Sequence, residues 1–91
     1  MEHHPILTVY SDETEVTYSD LHTNEQNEEY INIYFETPRE GGFNSLLLRY
    51  PYDKNKIIRR GYSDEDVKRM FGYYHSVAKV AFALATGQKE L

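Results

Sequence analysis

Cysteine and tryptophan are absent from the 91 residues, and there are only three prolines. Without cysteine the chain can form no disulfide, thiolate nucleophile, zinc-finger site or thiol redox couple, and it suits a reducing compartment. Long hydrophobic runs are also missing. The longest, Val80-Ala81-Phe82-Ala83-Leu84-Ala85, falls far short of the ~20 consecutive apolar residues that a membrane helix requires. The first residues, Met-Glu-His-His-Pro, lack the basic start and apolar stretch of a signal peptide. We therefore expect a soluble cytoplasmic protein that makes no use of a membrane.

Catalytic signatures are equally scarce. No Gly-rich phosphate loop, His-x-x-x-His pair or nucleophilic serine elbow occurs. Of the four histidines, His3 and His4 lie at an end expected to fray, His22 in a polar stretch, and His75 on the solvent side of a helix. Glu36 and Glu40 can approach across a Pro38–Gly42 turn, but nothing near them supplies the apolar pocket that raises a general acid's pKa. Met1-Glu2-His3 has the amine–amide–imidazole order that chelates square-planar Cu(II) or Ni(II). Any chain with histidine third has it. The expectation is a protein without catalytic residues, metal or cofactor, and hence not an enzyme.

What is present fits one small globular domain spanning residues 1–91. Hydrophobic residues make up 40% and charged residues 27%, and nine tyrosines and four phenylalanines supply core-forming area. That composition excludes a coiled coil, a collagen-like repeat and a wholly disordered chain. The net charge of −5 is unevenly spread. Residues 1–48 hold ten carboxylates against a single base, Arg39, a net of −9; residues 49–91 hold nine bases against five carboxylates, a net of +4. Overall acidity opposes general nucleic-acid binding, which draws its affinity from phosphate neutralisation.

Strand signals precede one helix signal. Strands are predicted near 5–11 and 14–19, the latter alternating with Val16 and Tyr18 inward and Glu15 and Thr17 outward. Residues 20–28 are polar and aperiodic and read as a solvated loop. A strand over 29–37 puts Ile31, Ile33 and Phe35 on one face and Tyr30, Asn32 and Tyr34 on the other; Pro38 is expected to close it. Gly41-Gly42 allows a reversal into a strand over 43–50, which Leu46, Leu47 and Leu48 mark as interior to the sheet. A further short pairing falls over 56–60. Ser63 caps a helix over 64–86, with acidic residues in its first turn and Gly87 as its stop. The expected fold is α+β: an antiparallel sheet of about four strands in the order β-β-β-β, followed by one long C-terminal helix packed on one face. At roughly 34 Å the helix outruns an eight-residue strand of about 27 Å, so part of it is expected to overhang.

Four features stand out. Tyr73, Val77, Val80 and Leu84 form a second apolar stripe beside the helix's core stripe, and an apolar helix must be covered on more than one side. This points to a homodimer or to another protein partner; the bland alternative is that the chain's own loops cover it. Arg49, Lys54, Lys56, Arg59 and Arg60 interleave with tyrosines, a pattern compatible with nucleic acid or another anionic ligand, or with an ordinary solvated turn. The acidic half resembles in composition a nucleic-acid mimic that inhibits a nucleic-acid enzyme. Tyr30, Asn32 and Tyr34 make either a docking face or a plain antiparallel sheet surface. The leading expectation is a non-enzymatic interaction module that pairs with itself.

Overall fold

A computed structural model of the chain describes residues 3–90, with side chains described through Gly87. The strands are β1 (His4–Val9), β2 (Thr14–Tyr18), β3 (His22–Thr23), β4 (Glu29–Arg39), β5 (Gly42–Tyr50) and β6 (Ile58–Arg60), followed by α1 (Asp64–Glu90). The class is α+β, as the sequence predicts, with a longer list of strands. In space the order is β1-β2-β4-β5-β6, with β3 folded back on the start of β4. All pairings are antiparallel, so the sheet is close to a simple meander of sequential neighbours.

Register places the core. Val16, Phe35 and Leu46 align across three strands, and Tyr18, Ile33 and Leu48 align beside them, all buried on one face. Burying a side chain of this size is worth about 1.5–3 kcal/mol, so this face supplies most of the drive to fold. Helix α1 lays Met70, Tyr74, Ala78, Ala81 and Ala85 against it, at the spacing of one helical face. The alanines let the helix axis come close to the sheet. Ser63 caps α1 as expected: its Oγ accepts from the Asp66 amide at 3.1 Å, while its own amide donates to Asp66 Oδ2 at 3.3 Å. Tyr62 is buried just before the cap.

A line of hydroxyls closes one end of the core. Thr14 Oγ1 donates to Asp12 Oδ1 at 2.7 Å, which uses its only proton. Thr37 Oγ1, 2.6 Å away, must therefore donate to Thr14, and Tyr62 Oη, also at 2.6 Å, must donate to Thr37. The relay ends on a carboxylate that also accepts from Arg69 Nη1 at 2.7 Å. It ties the first hairpin, β4 and the start of α1 together. These bonds from Thr14 and Arg69 hold the Asp12 carboxyl below its ordinary range.

Several boundaries differ from those predicted. β4 passes through Pro38 to Arg39, because β2 pairs no further along it than Glu36; past that point β4 is a one-sided edge that tolerates a missing donor. The stretch 20–28 is not wholly loop: His22 and Thr23 pair with Tyr30 and Glu29. Asn24 drives that turn, its Oδ1 accepting from the amides of Gln26 at 3.0 Å and Glu28 at 2.9 Å. α1 continues through Gly87 to Glu90, since an exposed glycine weakens a helix without breaking it. The overhang is slight, because β4 has 11 residues and the buried helix positions run as far as Ala85. His4 does not fray: it opens β1 and its Nε2 lies 2.6 Å from Asp20 Oδ1.

Candidate interaction surfaces

The two flanks of α1 are unlike. On one, Phe71 and Phe82 sit among Tyr50, Tyr52 and Tyr74, with Tyr50 and Phe82 ring centroids 5.5 Å apart. That flank is covered by its own chain. On the other lies the predicted stripe. Tyr73 and Val77 are half-buried against the core, whereas Val80 is 55% and Leu84 47% exposed. The stripe thus begins under cover and ends in the open. Ile6 and Leu7 of β1 and Leu21 of the 20–28 stretch pack against the core, yet Val80 and Leu84 stay open.

Both sheet edges are blunted against pairing. β1 carries Pro5, which has no amide hydrogen, and a register shift between Pro5 and Leu7. β6 has three residues, two of them arginines. Association by strand addition is therefore disfavoured at either end of the sheet, which leaves the helix flank and the sheet's second face.

That second face has no helix on it. Tyr34 pairs with Thr17 and Leu47, and Leu47 with Ile58, giving a cross-strand row opposite the core. His3 stacks on Tyr34 with centroids 4.1 Å apart, so this residue too is docked rather than frayed; Met1 and Glu2, the other members of the Cu(II)-type chelate, lie outside the described residues. Arg49 Cζ rests 3.7 Å from the Tyr30 ring centroid. Thr17 Oγ1, Asn32 Oδ1 and Arg49 Nε are buried there without a hydrogen-bond partner among the described residues.

The five bases of 49–60 do not converge on one patch. Arg49 and Arg60 belong to the open sheet face, with Arg60 opposite Ser45. Arg59, opposite Leu46, lies on the helix side and pairs with Asp64 at 2.8 Å. Lys54 and Lys56 flank a single 3-10 turn whose cap is Asp53, its carboxylate accepting from the Asn55 amide. Alternation along β5 and β6 divides what is contiguous in sequence. His75 is exposed beside Phe71 and Tyr74. No group of three or more potential metal-ligating side chains occurs among the described residues, and no helix there is long and apolar enough to cross a membrane.

A hollow missed by the sequence reading lies at the hairpin-tip end of the open face. Tyr10, Phe43 and Pro38 form its apolar part and Glu13, Glu15 and Glu36 its rim. These residues come from two hairpins and from both sides of their turns, so no local pattern joins them. Compared with protein-family models, curated proteins and solved structures, the chain gives no match.

Proposed function

We propose that this chain is a small non-enzymatic interaction module that works as a homodimer joined through the exposed flank of α1. The carrying observation is the exposure of Val80 and Leu84, one helical turn apart, on a stripe that Tyr73 and Val77 continue into the core. A helix flank of this kind is self-complementary: a two-fold axis lays the same stripe of one protomer against that of the other, and the exposed Ala83 beside it permits close approach. The blunted edges of β1 and β6 support the helix over the sheet edge as the seam. The cysteine-free composition suits a reducing interior such as the cytoplasm. Nucleic-acid binding through Arg49, Lys54, Lys56, Arg59 and Arg60 draws less support, because those side chains divide between the two faces of the sheet and the 3-10 turn.

Leu84→Asp tests the proposal. The side chain is nearly half in solvent, so the variant is expected to fold, with an unchanged far-ultraviolet circular dichroism spectrum, and to sediment as a monomer where the parent sediments as a dimer. A variant that keeps the parent's mass contradicts the seam.

A further inference from the structure

The hollow on the open sheet face has features that neither sheet stability nor the helix seam accounts for. Its volume is about 530 Å³. Tyr10 is 88% and Phe43 60% exposed, and both rings stand at hairpin tips beside Pro38. Glu15 and Glu36 are directly opposite one another on β2 and β4. Like charges in that relation repel and weaken a sheet, so the pair is costly unless a cation comes between them. Thr8 Oγ1 donates to Glu15 Oε2 at 3.0 Å, but no lysine, arginine or histidine among the described residues forms an ion pair with Glu13, Glu15 or Glu36. Arg60 lines the adjoining hollow together with Glu36 but forms no ion pair with it.

That adjoining hollow, about 320 Å³, shares Glu36 and has Tyr34, Leu47 and Ile58 along its floor, Ile58 being 55% exposed. The surface therefore runs from an acidic, aromatic end to an apolar row, with one carboxylate common to both. A divalent ion does not fit it, because the carboxylates do not converge. Nucleic acid does not fit it, because three carboxylates face the phosphates. Charge complementarity selects an extended segment carrying positive side chains: a cation between Glu15 and Glu36, the flanking rings presenting their negative faces to it, and an apolar side chain further along over Leu47 and Ile58.

We propose that the open sheet face is a docking site for an extended segment of a partner protein in which an arginine or lysine and an apolar residue stand two positions apart, so that both point at the sheet. The site lies on the opposite side of the sheet from α1, so it goes beyond the dimer and does not depend on it; a monomeric variant binds equally well.

The probe is an end-blocked synthetic peptide, Gly-Arg-Ser-Leu-Gly, titrated into isotopically labelled protein, with an Arg-Ser-Ala counterpart. Amide shifts are expected at Tyr10, Glu15, Glu36, Phe43 and Leu47, and the leucine peptide is expected to bind more tightly than the alanine one. The double variant Glu15→Gln, Glu36→Gln is expected to weaken binding at least tenfold while melting no lower than the parent, since it relieves a like-charge pair. Shifts spread evenly over all acidic segments, with the double variant unaffected, would mean bulk attraction to a net charge of −5 and would overturn the site. A change of oligomeric state in the double variant would show that a second copy's basic segment occupies the groove, and would overturn the partner assigned here. Loss of the dimer in Leu84→Asp with peptide binding intact would separate this site from the helix seam.

Discussion

Tyr74 joins the core to the pH response of the molecule. Its hydroxyl donates to the Arg49 carbonyl at 2.8 Å, and burial, together with Tyr50 and Tyr52 nearby, pushes its pKa up to about 12. A folded pKa above the unfolded value near 10 means that the folded state keeps the proton longer. The stability it contributes is complete below about pH 10 and is lost as pH rises through about 12. Burial moves the Tyr62 hydroxyl the same way. Tyr74→Phe should cost about 1 kcal/mol at pH 7 through the lost hydrogen bond. It should also make stability fall less steeply between pH 10 and 12, leaving Tyr62's share; urea unfolding at a series of pH values checks both. The acid limb has the opposite sign. Thr14 and Arg69 depress the Asp12 carboxyl, so its contribution is complete above the unfolded value near 4 and is lost as pH falls through the lower folded one. Asp12→Asn should flatten that limb. Period 3.6 places Tyr74 in the core stripe from sequence alone. Its carbonyl partner, 25 residues away, and the Asp12–Arg69 pair, 57 residues apart, exist only once the chain has folded.

Among the elements, strong periodicity is legible and competition at element ends is not. The core faces of β4, β5 and α1 follow from alternation and from helical spacing, because one face of each must leave water. Pro38 and Gly87 mislead as local breakers, because the effect of a missing amide or side chain depends on what lies beside it. Two glycines make this testable. Gly72 is exposed in mid-helix with open space where a Cβ would sit, so Gly72→Ala should raise stability by about 1 kcal/mol. Gly61 has φ +85 and lies against the Asn44 side chain, so Gly61→Ala should lower stability by at least about 1–2 kcal/mol. Melting curves of the two variants should move in opposite directions.

At the scale of the whole molecule, a five-strand meander with one helix leaves two surfaces without cover. The flank stripe of Val80 and Leu84 is readable in the sequence because it repeats along one element. The groove of Glu15, Glu36, Tyr10 and Phe43 is not, because strand register assembles it from separate hairpins. The stripe is apolar, so its association should withstand salt, whereas contacts made through surface charge weaken as the Debye length shrinks to about 3 Å at 1 M. The most direct measurement is solution mass by light scattering over a wide dilution series, at low and at high salt. A dimer joined through the helix flank should show twice the 10.8 kDa chain mass, held or strengthened at high salt and falling to the monomer only on dilution. A monomer at every concentration, or a dimer that dissolves as salt is added, would contradict it.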